Sequence, residues 1–273
     1  MIKKVSFQDC NNSINEVNIR APHMVDIQKF NEFMINELDK ICKIKGKKVL
    51  DLGASKYGHA LVDSISKKVK EYVGIDLDID QEIEVNHQSS IGKLLKMNAE
   101  NLKFNDNYFD LIITVSTFEH FLNPDIVLSE MYRVLKSGGL ALVTFGPIWS
   151  SSKGYHLHQY PNIAKFIPDW SHLFLSKKQM STLLKNKNYP DNLDLSLEQV
   201  VNWIYKGNEI NRIDVKKIKK YFEDSKFTIN WITPLFDDDN KYNKIISKYL
   251  SNILPYTPEE LTTRGFSILL SKN

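Results

Sequence analysis

The chain reads as an α/β protein built on a doubly wound, mostly parallel sheet of seven strands, a Rossmann-like arrangement, with a helical and lid segment inserted after the fifth strand. Three observations carry this reading. Short apolar, β-branched runs recur at 47–53, 71–78, 91–99, 108–116 and 140–145, the first two ending in acid or glycine. Helical spacing fills several of the intervals between them. Two later runs, KFTINWIT (226–233) and GFSILLSK (265–272), supply the last two strands. Sheets of this kind bind ligands at the carboxyl ends of their strands.

The elements follow in order. Residues 24–43 place Ile27, Phe30, Phe33, Met34, Leu38 and Ile41 at helical spacing, which predicts a helix covering the sheet. KKVLDLG (47–53) is a buried strand stopping at Gly53, and 58–69 is compatible with a helix. EYVGIDLD (71–78) and the weaker IGKLLKMNA (91–99) are the second and third strands, and YFDLIITVS (108–116) is the fourth. NPDIVLSEMYRVLKSGG (123–139) predicts a helix stopped by Gly138-Gly139, and LALVTF (140–145) is the fifth strand. Residues 146–172 carry aromatics, His, Ser and Pro without a period, and are too long for an ordinary connection. Helical patterns return over 176–222 and again at 241–254. The expected organisation is a cap and helix over 1–45, a ligand-binding core over 46–146, a lid and helical substrate-binding insertion over 147–225, and completing strands over 226–273.

Composition excludes several classes. With 273 residues, 42% hydrophobic and 25% charged, the chain has enough apolar surface for a large core, and 9 Pro and 11 Gly are too few for low complexity. No apolar run approaches the roughly 20 residues of a membrane span. Cys10 and Cys42 cannot make a disulfide framework, and the N-terminus turns polar after Phe7, so a reducing cytoplasm is the expected location. Net charge is only +3, and 32 of the 36 basic residues are lysines. The scarcity of arginine forks and the weak field argue against a nucleic-acid partner.

The richest stretch is VLDLGASKYG (49–58), in which a strand ends at Asp51 and a tight turn follows Gly53. Asp51 and the turn amides suit a zwitterionic group. Asp76 ends the next strand 25 residues later, where doubly wound folds place a carboxylate on ribose hydroxyls. Asn98 and Ala99 follow the third strand, positioned for an adenine edge. A nicotinamide fingerprint is disfavoured because Ser55 stands at its middle glycine.

Taken together, LDLGxxxxG, VGIDLD, MNAENLKF, FDLIITVSTFEHF and RVLKSGGLALVTF resemble the class I S-adenosylmethionine-dependent methyltransferases, in the broad small-molecule, type 11-like subgroup. The resemblance covers about 47–146. It implies S-adenosyl-L-methionine as cofactor, with Asp51, Gly53 and Ala54 at its methionine end, Asp76 on the ribose and Leu77 on the adenine face. Asn98 and Ala99 then meet the adenine edge, and Ser116 lies beneath the sulfonium. Ser55 replaces the usual second glycine and Asn98 the usual Asp.

Methyl transfer is an in-line displacement, so positioning dominates and a base is needed when the acceptor is a hydroxyl. Two groups of residues supply candidates. Glu119-His120 lies just past the fourth strand, and the 146–172 segment carries His156, His158 and His172 beside Tyr155, Asp169 and Trp170. His156 is the first candidate for the base, since it follows Gly154-Tyr155; His120 and His172 come next. In an extended segment His158 would face the opposite way. Residues similar to Glu119-His120 bind a divalent metal in quinone O-methyltransferases, but with a further acid three positions earlier, where this chain has Ser116. No metal ligand is therefore assigned. The expected acceptor is a small polar molecule, such as a sugar or a nucleotide- or phosphate-activated surface-polysaccharide precursor. A natural-product or quinone acceptor, and a non-catalytic binding protein on the same fold, are the alternatives. Oligomeric state is left open.

Overall fold

The structure is a computed structural model that describes residues 27–54, 62, 65–237 and 241–273, with side chains from residue 35 onward. Strands β1 (Lys48–Leu52), β2 (Glu71–Asp76), β3 (Ile83–Asn86), β4 (Ile91–Lys96), β5 (Phe109–Val115), β6 (Leu135–Phe145), β7 (Thr228–Phe236) and β8 (Thr263–Ser271) form one sheet. Their order is β3-β4-β2-β1-β5-β6-β8-β7. The central five, β4, β2, β1, β5 and β6, are parallel, and β8 lies antiparallel between β6 and β7.

Two details depart from the sequence reading. The sheet has eight strands, because Ile83–Asn86 pairs antiparallel with β4 at the edge. Its residues alternate between half-buried and exposed: Ile83 packs on Ala54, Ile79 and Leu94, and Val85 on the cluster that holds Val62, Ile65 and Tyr72. Four residues with two apolar side chains look like polar loop in sequence. The helix expected over 123–139 ends at Val134, and the chain passes straight into β6. Gly138, at φ +77°, sits in a register shift between the pairs Phe109–Leu135 and Leu111–Leu140. The glycine pair makes a bulge in a strand rather than a helix stop.

Apolar alternation builds a core on each face. On β1, Leu50 and Leu52 enter one cluster and Val49 the other. Helix α1 (Ile27–Cys42) lays Ile35, Leu38 and Cys42 on the second face, where burial pushes the Cys42 thiol up to about 11. Helix α2 (Pro124–Val134) packs Val127, Leu128, Met131 and Val134 on the first face. Each such side chain contributes about 1.5–3 kcal/mol when fully buried.

The segment after β6 is a packed unit. It comprises α3 (Pro161–Ala164), α4 (Ser171–Phe174), α5 (Lys177–Asn186) and α6 (Leu197–Tyr205), and Tyr155, Leu157, Met180, Leu184, Val200 and Ile204 form its own core. Ser176 with Gln179, and Ser196 with Gln199, form capping boxes that start α5 and α6. Helix α7 (Val215–Asp224) returns to the sheet, burying Val215, Ile218 and Phe222 beside α2. Helices α8 (Lys241–Leu250) and α9 (Pro258–Thr262) hold the lid from below: Trp170 is fully buried against Leu250 and Leu261, and its indole N–H donates to the Leu261 carbonyl at 2.9 Å. Most of the helix expected over 58–69, and Cys10, Ser55 and Gly58, lie outside the described residues. No described helix is long and apolar enough to cross a membrane.

Candidate functional site

The carboxyl ends of β2, β1, β5 and β6 lie side by side, so the predicted residues collect along one edge. Asp51 is nearly fully buried, and Tyr72 Oη donates to its Oδ2 at 2.7 Å. Burial raises the Asp51 carboxyl to about 7; the Tyr72 hydrogen bond opposes the rise and the charge of Asp76 adds to it. Asp76 therefore stands close enough to be felt by Asp51. It accepts the Asp78 amide at 3.0 Å, and its neighbour Leu77 is 57% exposed, an apolar side chain held out beside a carboxylate.

Gly53 and Ala54 both donate their amides to the Ile75 carbonyl, at 2.9 and 3.0 Å, which clamps the end of β1 to β2. Gly53 has φ +81°, and a Cβ there would lie 2.1 Å from Thr117 Cγ2. The Thr117 side chain, just past β5, thus packs on the Gly53 backbone in the space a side chain there would need. Asn98 is exposed, with Oδ1 accepting the Glu100 amide at 2.9 Å, and Ala99 is buried. Arg133 stabilises this loop by donating to the carbonyls of Leu102 and Phe104 at 2.8 and 2.7 Å. Ser116 is exposed at φ +52°, its amide bonded to the Thr144 carbonyl at 2.8 Å.

On the other side of Ser116, the 3-10 turn Phe118–His120 carries Glu119 and His120. Glu119 is buried; its Oε1 accepts the Gly146 amide at 3.0 Å, while Oε2 has no partner. Burial raises its carboxyl, against the pull of His120 and the Gly146 amide. His120 is exposed and its Nδ1 bonds the Glu209 carbonyl. His156 is buried in the left-handed conformation, φ +62°, with Nε2 bonded to the Pro147 carbonyl. Its ring centroid lies 5.1 Å from that of His120. Burial holds His156 well below its usual range, with His120 and His158 adding to the effect.

The structure brings Glu119, His120 and His156 together; His172 lies outside that group, though near enough for its charge to lower His156 further. His172 is buried between Trp149 and Tyr155, donates Nε2–H to the Trp149 carbonyl at 2.7 Å, and is lowered by burial to about 4. His158 lies on a 3-10 turn, Leu157–Gln159, rather than an extended segment, with its ring 6.2 Å from that of His156. Asp169 pairs with Lys153.

Sequence reasoning missed the residues that hold this group. Asn211 Nδ2 donates to the carbonyls of Phe118 and Phe121 at 3.0 and 3.1 Å, and its amide donates to the Glu119 carbonyl at 2.9 Å. The irregular segment that leads back from the lid thereby ties down the turn that carries Glu119 and His120. These contacts span about ninety residues of sequence, and no local pattern announces them. Tyr72 and Thr117 were missed too, for they touch the predicted residues only through strand pairing. A separate cavity of about 550 Å³, lined by Phe236, Asn243, Ser247 and Thr262, lies beside β7, α8 and α9.

Comparison with known proteins bears on the fold and its central strands. Residues 50–143, about a third of the chain, match the family described as Methyltransferase domain. The chain is 29% identical over 141 residues to a ubiquinone/menaquinone biosynthesis C-methyltransferase of Vibrio vulnificus, covering 45% of this chain and 52% of that protein. It is 27% identical over 170 residues to a ubiquinone biosynthesis O-methyltransferase of Pseudomonas putida, covering 57% and 68%. The chain spans about half the length of the first of these relatives. A crystal structure of an S-adenosylmethionine-dependent methyltransferase from Mesorhizobium loti shares the fold, with a TM-score of 0.50 at 11% identity, covering 90% of this chain and 100% of that one. Over residues 50–143 the chain is thus similar to the methyltransferase domain, on a fold that a solved S-adenosylmethionine-dependent methyltransferase shares. That similarity implies S-adenosyl-L-methionine as cofactor, and the residues at the sheet edge suit it: the Asp76 carboxylate stands beside the exposed apolar side chain of Leu77 at the end of β2, and the Gly53 turn takes the left-handed region at φ +81°.

Proposed function

We propose that the protein methylates a hydroxyl of a small polar acceptor, such as a sugar or a nucleotide- or phosphate-activated surface-polysaccharide precursor. The observation that supports this reading is the Glu119–His120–His156 group, set past the ends of β5 and β6 under the lid and adjacent to Ser116. Bound along β1, β2 and β4, the cofactor supplies an electrophilic methyl group on a sulfonium. Asp76 would hold the ribose hydroxyls, Leu77 would cover adenine, Asn98 and Ala99 would meet its edge, and Asp51, Gly53 and Ala54 would hold the methionine end. Ser116 lies between the two halves.

The acceptor hydroxyl must lose its proton as the new bond forms. His156 is the first candidate to take it. Its Nε2 bonds a carbonyl, which can only accept, so the N–H is on Nε2 and the lone pair on Nδ1. Burial keeps the ring neutral at pH 7. His120, by the same logic at Nδ1 and Nε2, is the second candidate. His172 lies apart from this group, packed inside the lid, and stands third.

The relatives named for ubiquinone biosynthesis favour a second reading, an aromatic or quinone-type acceptor. Incubating the protein with labelled cofactor and fractionated cell extract separates the two. Label in the polar metabolites supports the first reading and label in the lipid extract the second. No label in any fraction contradicts both and leaves a non-catalytic binding protein.

A further inference from the structure

We propose that Glu119, His120 and His156 form a binding site for a divalent metal ion of the zinc class, on the acceptor side of the sheet edge. One donor atom from each residue lies within 4.8 Å of the donors of the other two. Two imidazoles and one carboxylate make a nitrogen- and oxygen-donor set that suits zinc and its neighbours, and three protein ligands leave coordination positions open for an acceptor oxygen.

The surroundings of the three side chains are those of ligands rather than of chance neighbours. Histidines that bind metal donate their other ring N–H to a carbonyl or carboxylate, which fixes the tautomer and turns a lone pair toward the ion. Both histidines do so here, His120 toward the Glu209 carbonyl and His156 toward the Pro147 carbonyl. Glu119 is held through Oε1 by the Gly146 amide, leaving Oε2 buried with no partner. A buried carboxylate oxygen in that state calls for a cation or a donor. His156 also sits in the left-handed region at φ +62°, a conformation that non-glycine residues adopt rarely and that concentrates at functional sites.

The set is assembled by the fold. Glu119 and His120 follow β5, and His156 follows β6; the parallel pairing of those strands, from Leu111–Leu140 to Val115–Thr144, brings the two loops together. Ser116, where a further acid would complete a local cluster, contributes nothing, and the third ligand comes from the lid 36 residues beyond His120. Ligands about 2.0–2.2 Å from an ion lie roughly 3–3.5 Å apart, so the group must close by about an ångström. Each of the three is held from behind by one contact, and His120, the exposed one, has room to turn about it and make that movement. The other nearby candidates are engaged: Asp169 with Lys153, and His172 inside the lid with Trp149.

The proposal rests on the methyltransferase reading for the ion's role, which would be to receive the acceptor oxygen, with the lone pair of His156 serving as ligand in place of proton acceptor. It does not rest on that reading for the ion's binding. The test is therefore a titration of chelator-stripped full-length protein with Zn²⁺ alone, in competition with a chromophoric chelator, and in parallel a titration with S-adenosylmethionine. One equivalent of Zn²⁺ is expected, with affinity reduced at least about tenfold in His156→Ala and in His120→Ala, and unchanged affinity for S-adenosylmethionine in both. His120 is exposed, so its variant tests the site even where His156→Ala fails to fold. Absence of stoichiometric Zn²⁺ binding, or binding that survives both substitutions, overturns the site. Full methyl transfer by metal-stripped wild-type protein overturns the ion's role and leaves His156 as the base. Zn²⁺ binding without S-adenosylmethionine binding upholds the site and contradicts the functional reading instead.

Discussion

The two halves of the sheet's carboxyl edge are constructed differently. Along β1, β2 and β4 the candidate residues stand directly at strand ends or just past them, and most are set by the neighbouring strand: Asp51 by Tyr72, Gly53 and Ala54 by the Ile75 carbonyl, while Asn98 opens the loop that Arg133 holds. Beyond β5 and β6 the candidate residues sit in loops and depend on contacts from far along the chain. Glu119 leans on Gly146, His120 on Glu209, His156 on Pro147, and the whole turn on Asn211. A half built of adjacent strand ends suits a common ligand that many proteins share. A half built of long-range contacts can be rebuilt for a new acceptor without disturbing the first. The two should therefore fail independently.

The sharpest break is His156→Ala. If His156 activates the acceptor as proposed, its loss should cost about 10²–10⁴ in turnover, with affinity for the methyl donor as in the wild type. Label transfer into the polar fraction, run beside a calorimetric titration, checks both. Equal losses in the two measurements would erase the distinction between the halves.

Asp51 gives the next effect, through pH. Its carboxyl is raised to about 7 in the folded protein, so between about pH 4 and 7 the folded state holds a proton that the unfolded chain has released. The associated stability is fully present below about pH 4 and is lost as pH rises through 7. Denaturant unfolding of wild type and Asp51→Asn from pH 4 to 8 should show a decline on the order of 3 kcal/mol that the variant lacks. A smaller effect belongs to Asp76→Ala, which should lose roughly 1.5–3 kcal/mol of cofactor binding, with the denaturation midpoint nearly unchanged. The smallest belongs to Asn211→Ala. Removing its hydrogen bonds to the Phe118 and Phe121 carbonyls should cost about 1–2 kcal/mol of stability and lower turnover without changing cofactor affinity.

The same division decides how much could be read from sequence. The strand runs and the two late strands were legible, though not their antiparallel sense, and Asp51, Gly53, Asp76 and Asn98 could be placed along one edge because each is a local pattern: an apolar run, a stop, an acid or amide at a strand end. The edge strand Ile83–Asn86 was not, since two half-buried apolar side chains among four residues are too short a pattern to stand out from a loop. The Gly138-Gly139 pair misled because glycines that stop a helix and glycines that bulge a strand look alike until the partner strand is known. His120 and His156 were both legible as candidate bases, but their meeting with Glu119 was not, because it depends on the register of β5 against β6. Asn211 carried no signal at all; its role exists only once the lid has folded back onto the turn.

The account stands first on the β1–β2–β4 edge being a cofactor site. Calorimetric titration of the folded wild-type protein with S-adenosylmethionine and with its demethylated product tests that most directly. The account predicts saturable binding of both at one equivalent, weakened roughly tenfold or more by Asp76→Ala and unaffected by His156→Ala. No binding of either compound by folded protein, or binding indifferent to Asp76, would contradict it.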